Sequence, residues 1–160
     1  MAETVLRPSI NMRSFDASLP MALLRARETA MALFRPLLAE YDLTEQQWRV
    51  LRALAASEVP IDASKLADET FLLAPSLSRM LTALDERELI TRQTDPADHR
   101  RTLILLSDHG EALVQKVAPH SEARYARIEQ SFGAERLQVL LQELHELAAL
   151  DLDASSGGVS

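Results

Sequence analysis

The 160-residue chain contains no cysteine. That absence excludes disulfides, thiolate metal sites, thiol nucleophiles and thiol-based oxidation sensing together. Glycine and proline number only four and seven, and aromatics make up 4%. A turn-rich all-β sandwich does not fit such a composition. Lysine is nearly missing: of 17 basic residues only Lys65 and Lys116 are lysine. No apolar run approaches the roughly 20 residues that cross a bilayer. Residues 1–20 carry Arg7, Arg13 and Asp16 between short apolar pairs, so neither a signal peptide nor a membrane span is legible there. A cytoplasmic location is the expectation. An excess of positive charge is lacking as well. With 24 acidic residues the net charge is −7, which excludes a general polyanion coat but not a local nucleic-acid site.

What is present is apolar mass. Hydrophobic residues make up 47% and charged residues 26%, enough for a core in one domain. Leu19, Leu23, Ala26, Ala30, Phe34 and Leu38 recur every three or four residues and predict an amphipathic helix over 15–40. Pro36 inside it predicts a kink or an end, opening space nearby. Thr44-Glu45-Gln46-Gln47 matches a capping box, and the helix after it is expected to bury Val50, Leu51 and Leu54. Asp62 reads as the N-cap of a short helix with Leu66 and Ala67. Phe71-Leu72-Leu73 reads as a turn, with Ala74 a poor N-cap before Pro75 at a first helical position. Leu77, Met80, Leu81 and Leu84 then repeat as i, i+3, i+4, i+7 and mark an inward face. Two short β-prone runs, 89–94 and 102–106, flank a polar turn and predict a hairpin with its tip in solvent. Ser107 caps a long helix carrying Leu113, Val117, Tyr125, Ile128 and Phe132, bent at Pro119 and ended by Gly133. Leu137, Leu140, Leu141, Leu144, Leu147 and Leu150 form one stripe of a last helix. Residues 1–13 are expected to be a flexible arm and 151–160 a disordered tail.

That order describes a mainly α chain: a winged helix-turn-helix over 43–106 with a small β-hairpin wing, flanked by long helices over 14–42 and 107–150. In such a unit the second helix enters the DNA major groove while the first braces it. With its leucines inward, the Pro75 helix shows Ser78, Arg79, Thr82 and Glu86 outward. Ser76 lies near the N-terminus, where free N–H groups favour phosphate. Arg79 can pair bidentately with guanine, and the hydroxyls can reach bases or phosphates. At the hairpin tip Arg100 or Arg101 can enter the minor groove, with Asp98 holding the Arg100 guanidinium in shape. A plain surface ion pair between Asp98 and Arg100 explains the same spacing. His99 reads as a DNA contact or as surface. Residues 57–110 hold six basic and ten acidic side chains, a net charge of −4. The arginines are therefore expected on the groove-facing surface with the acids behind, and DNA binding is expected to be salt-sensitive with few phosphate contacts.

The run Leu89-Ile90-x-Arg92-x-x-Asp95-Pro96-x-Asp98-x-Arg100, followed by Leu106-Ser107-x-x-Gly110, resembles the wing signature of the MarR family of winged-helix bacterial regulators. The resemblance covers roughly residues 20–150. It implies a homodimer with interlocked terminal helices, and a repressor that releases DNA when a phenolic or carboxylate ligand binds. The stretches Ala22-Leu23-Leu24-x-Ala26-Arg27-Glu28-x-Ala30-Met31-x-x-Phe34-Arg35-Pro36 and Leu43-Thr44-Glu45-Gln46-Gln47-Trp48-Arg49 are similar to the branch that represses the homoprotocatechuate (4-hydroxyphenylacetate) degradation operon. The chain departs from the family pattern at Glu88, where glycine is usual, and at Ala97, where a basic wing residue is common.

The leucine stripe of the last helix, matched by one on the first, is too apolar for solvent and points to a homodimer interface; an intrachain helical bundle is the other way to cover it. A two-fold dimer would present two recognition helices to a pseudo-palindromic operator. An aromatic-acid effector needs an arginine for its carboxylate and an apolar wall for its ring. Arg27, Trp48, Arg49 and Arg52 are the candidate ligand-binding residues, where the first, Trp48-bearing and long helices meet. Arg27 and Trp48 lead that set, and Arg35 is a further cation near it. Trp48 equally suits a core anchor, and the arginines suit a solvated face or ion pairs between subunits. No cofactor is implied, and His99, His109, His120 and His145 lack a metal-ligand spacing. Two other classes, a small helical enzyme and a helical interaction module without DNA, stay open. The first lacks a Gly-rich phosphate loop, a nucleophile elbow and paired acid-base residues. The second would keep its function when Arg79 and Arg100 become alanine.

Overall fold

A computed structural model describes residues 11–151; the arm and tail expected at the two ends lie largely outside them. A 3₁₀ turn at Phe15–Ala17 precedes helix α1, Leu19–Glu40. The first helix therefore starts later than its periodicity suggests, because Ser18 is extended at φ −77, ψ 112. Helix α1 runs about one turn past Pro36 and ends at Glu40. Proline removes one N–H from the ladder, but Leu37 and Leu38 beyond it are each 1% exposed, and their burial holds the last turn.

Helix α2, Glu45–Ala55, opens on the full capping box. The Gln47 N–H donates to Thr44 Oγ1 at 3.1 Å, and the Thr44 N–H donates to Gln47 Oε1 at 3.0 Å. Strand β1, Ile61–Asp62, leads into α3, Ala63–Thr70, whose N-cap is Asp62. Helix α4, Ala74–Glu86, starts one residue earlier than expected: Leu73 is its N-cap, with no side-chain cap bond, and Pro75 is its second residue. Strands β2, Ile90–Thr94, and β3, Thr102–Leu106, form the wing. Helix α5, Asp108–Phe132, continues through Pro119, and Gly133 at φ 98 turns the chain into α6, Ala134–Ala148. The sheet is antiparallel in the order β1-β3-β2, with Ile61 opposite Ile104 and Ile90 opposite Leu106.

The core sits between α2, α3, α4 and the sheet. Val50, Leu51, Leu66, Leu84 and Ile104 are fully shielded there, and Leu77, Met80 and Leu81 complete the inward face of α4. Helix α4 ends in a Schellman-type turn, with the Leu89 N–H bonded to the Leu84 carbonyl and the Glu88 N–H to that of Asp85. Glu88 occupies the left-handed position of that turn at φ 55, a conformation that disfavours any residue with a Cβ. Ser107 Oγ donates to the Glu88 carbonyl at 2.5 Å. A Cβ on Gly110 would fall 2.0 Å from the Leu89 carbonyl oxygen, so only glycine lets α5 dock here. Helix α6 buries no residue, and Val139, Leu140 and Leu141 on it are 40–58% exposed.

Candidate nucleic-acid interface and ligand pocket

The outward face of α4 is built as its period dictates. Ser78, Arg79, Thr82 and Glu86 are exposed, and Ser76 is half-buried. Among the described residues Arg79 makes no ion pair. Thr82 is less free: its hydroxyl donates to the Ser78 carbonyl at 3.1 Å and accepts from Arg92 at 3.4 Å. Arg92 on β2 also pairs with Asp85 at 3.3 Å. Sequence reasoning left Arg92 out of the interface, although its strand position beside α4 brings it to that face.

The wing corrects two expectations. Asp98 does not hold the Arg100 guanidinium; its carboxylate accepts the Arg100 backbone N–H at 3.0 Å, while Asp95 accepts that of Ala97 at 2.8 Å. Both aspartates shape the turn backbone, as short acidic side chains do in such turns. Arg101 is not a tip residue, for its guanidinium reaches back to Asp62 at 2.6 Å. The Asp62 carboxyl is held below its ordinary value, first by the Lys65 N–H it caps and, against the opposing effect of burial, by the Arg101 charge. His99 and Arg100 are exposed, and Arg100 makes no ion pair among the described residues. The expected sorting of arginines to the front is thus only partial. Arg92 and Arg101 are each committed to an acid, and Arg87 at the end of α4 donates to the Tyr41 and Asp42 carbonyls at 3.2 and 2.7 Å.

A cavity of about 480 Å³ brings Arg27, Trp48, Arg49 and Arg52 together with Met31, Phe34, Glu45 and Tyr125. All four predicted residues line it, but their roles separate. Arg27 bonds to both Glu28 and Glu45, and Arg35 bonds to the same two carboxylates. This four-membered clasp fixes α1 on α2 and neutralises Arg27. Burial pushes the Glu45 carboxyl up, but the bonds from Arg35 and Arg27 outweigh it and hold it below its ordinary value. Trp48 is 7% exposed and belongs to the core, so it anchors α2 and walls the cavity at once. Arg52 donates to the Tyr125 hydroxyl at 2.8 Å, and Tyr125 packs on Phe34 with ring centroids 4.9 Å apart. A neutral partner leaves the Arg52 charge uncompensated. Arg49 donates to the Thr70 carbonyl at 2.9 Å, at the last residue of α3 before the turn into α4. Tyr125 was legible only as an apolar position of its helix; 73 residues separate it from Arg52, and no local pattern carries that contact. Among the described residues no three His, Asp or Glu side chains gather as a metal site, and no helix is long and apolar enough to cross a membrane.

Two short helices joined by a turn, an outward polar face on the second and a β-hairpin beside it make a winged helix-turn-helix, the form of a DNA-binding transcription regulator. The model of the MarR family matches residues 41–101. The homoprotocatechuate degradative operon repressor of Escherichia coli is 41% identical over 133 residues, 83% of this chain and 89% of that protein. The chain belongs to the MarR family. Its fold is similar to that of NadR solved with 4-hydroxyphenylacetate, at TM-score 0.78 and 35% identity over 89% of this chain and all of that one. It is also similar to the transcriptional repressor CouR bound to a 23-mer DNA duplex, at TM-score 0.77 and 28% identity over 88% of this chain and 99% of the other.

Proposed function

We propose that the chain is a cytoplasmic homodimeric repressor of an aromatic-acid catabolic operon, released from DNA by a phenolic carboxylate. The observation that carries this is one shared residue. Arg49 lines the cavity and at the same time holds the carbonyl that ends α3, directly before the helix that faces DNA. A ligand that alters Arg49 biases the position of α4, and affinities for ligand and DNA are then coupled reciprocally. The resemblance to a repressor of homoprotocatechuate degradation and to NadR holding 4-hydroxyphenylacetate supports the ligand class. The likeness to CouR on a DNA duplex supports the partner.

Within the cavity, Arg52 and Tyr125 receive the carboxylate, since Arg27 is already matched by glutamates and Arg49 is held by the Thr70 carbonyl. Trp48 and Phe34 sandwich the ring. Glu45 lies two turns before Arg52 on α2, about 10 Å along the axis, and accepts the phenolic hydroxyl. On DNA, Arg79 reads base edges in the major groove, with Ser76, Ser78 and Thr82 on phosphates or bases and His99 and Arg100 in the adjacent minor groove. Asp98 and Arg101 act by shaping and bracing the wing. Residues 43–106 form the reading unit, and 14–42 with 107–150 pair the two copies. A groove of about 560 Å³ between α1, α5 and α6, lined by Ala30, Leu33, Ile128, Phe132, Leu137 and Leu140, is the surface that a second copy covers.

The test is fluorescence anisotropy on an operator selected from a random DNA pool. Saturating 4-hydroxyphenylacetate or a close hydroxylated analogue is expected to weaken binding at least tenfold, the scale of ordinary allosteric coupling at about 1–3 kcal/mol. Replacing Arg79 and Arg100 with alanine is expected to abolish binding while the circular dichroism and Tm stay those of the parent. An operator affinity indifferent to every phenolic acid tried removes the effector half of the proposal. Retained binding by the double alanine variant removes the DNA interface.

A further inference from the structure

The tip of the reading helix is apolar where its fold would favour polarity. Leu73 is the N-cap of α4, a position where Ser, Thr, Asp or Asn satisfies a free N–H and leucine satisfies none. Nor is Leu73 there for burial, since it is 78% exposed. Phe71 beside it is 90% exposed and stands in left-handed backbone at φ 51, where a bulky residue is strained. Ala74 and Pro75 are exposed as well. Leu73 as an N-cap and Phe71 in left-handed backbone are locally unfavourable, and such conflicts concentrate at functional sites. Their neighbours are the residues of the proposed DNA face: Ser76 half-buried, then Ser78 and Arg79 exposed on the same helix. The first turn of a recognition helix is the part that reaches base edges. The one apolar group on the major-groove edge of DNA is the C5 methyl of thymine.

We infer that Leu73, flanked by Ala74 and Pro75, is a specificity-determining residue that reads a thymine methyl in each operator half-site. Arg79 sets the guanine contact one to two helical turns further on, so each half-site is read by one polar and one apolar contact. The inference rests on α4 being the groove-reading helix, as proposed above, and adds which base its N-terminal end selects.

Deoxyuridine lacks only the methyl of thymidine, so it isolates this contact. In the operator selected from a random pool, each thymine is replaced by deoxyuridine symmetrically in both half-sites, and Kd is measured for the parent dimer and for Leu73→Ser. Serine supplies the missing cap, so this variant keeps α4 intact and does not lower Tm. For the parent, one thymine per half-site is expected to stand out, with Kd rising about fourfold per half-site and about fifteenfold for the pair, the worth of one buried carbon group on each side. For Leu73→Ser the same substitution is expected to change Kd less than twofold. A parent protein indifferent to deoxyuridine at every thymine overturns the inference, and so does an equal penalty in both proteins. Failure of both proteins to select any DNA sinks the DNA reading itself, an outcome distinct from selection without methyl discrimination.

Discussion

The winged lobe and the terminal helices carry similar leucine stripes and use them in opposite ways. On α4, Leu77 and Leu84 are 2% and 0% exposed; on α6, Leu140 and Leu141 are 40% and 48% exposed. The lobe closes its own core with side chains from α2, α3 and the sheet. The terminal helices present an apolar surface that one copy of the chain leaves uncovered, and exposed surface of that kind marks an interface. Inside the lobe Arg49 on α2 donates to the Thr70 carbonyl before α4, and between the two regions Arg87 donates to the Tyr41 and Asp42 carbonyls after it. Helix α4 is thus held before its start by the lobe's own α2 and after its end by the segment that follows α1. One region is complete in itself, the other needs a partner, and the ties decide how far a change in one is felt by the other.

The comparison breaks most completely if the frame cannot pair. Leu140→Asp with Leu141→Asp is expected to give monomers at micromolar concentration by light scattering, with the lobe still folded. Operator affinity should fall by about a hundredfold or more, the avidity lost when two half-sites are no longer bound together. A dimer of unchanged mass would show that the α6 stripe is not what pairs the copies.

Next in size is the anchor in the seam. Arg52→Met is expected to raise the Kd for 4-hydroxyphenylacetate about tenfold to a hundredfold by calorimetry, the scale of one charge-assisted hydrogen bond of roughly 1.5–3 kcal/mol. Tyr125→Phe should cost less, because it leaves the guanidinium in place.

Cutting a tie sharpens the comparison further. Arg49→Met keeps much of the aliphatic packing but frees the Thr70 carbonyl. The expected outcome is a smaller ratio between operator Kd with and without effector, reduced about threefold to tenfold at a coupling loss near 1 kcal/mol. An unchanged ratio would mean that the coupling runs elsewhere.

The smallest effect concerns pH. Glu45 and Asp62 both titrate below their ordinary values of 4.5 and 3.8 in the folded chain. A depressed carboxyl contributes stability that is whole above the unfolded value and is lost as pH falls through the folded one. Tm should therefore be flat from neutral pH to about 5 and decline below it, on top of any general acid unfolding. Glu45→Gln should remove part of that slope, about 2 °C or less, since the clasp is largely solvent-screened.

Much of this was legible because it is local. Thr44, Asp62 and Ser107 each bond a backbone N–H three residues on, and that spacing is visible in the letters. The face of α4 and the two wing strands follow from periods of 3.6 and 2, which burial imposes on any helix or strand. The Asp98 expectation failed. A backbone N–H outcompeted a guanidinium for the Asp98 carboxylate. The cavity residues on α2 were found from their shared helix face. Tyr125 and Arg92 were not, since they join from a helix far along the chain and from a neighbouring strand, and Glu45 on α2 was read only as part of the capping box.

The order of letters by itself determined the helices, the hairpin, and the inward and outward faces, because each rests on local periods and contacts between near neighbours, and it carried the signature that resembles winged-helix regulators. Only the tertiary structure decided which arginines keep an uncompensated charge. Arg27, Arg92 and Arg101 are matched by acids, Arg49 and Arg87 by carbonyls, Arg52 by a phenol, while Arg79 and Arg100 point outward without an ion pair among the described residues. A guanidinium carries the same charge wherever it stands; what it can bind depends on the oxygen the fold has already placed beside it.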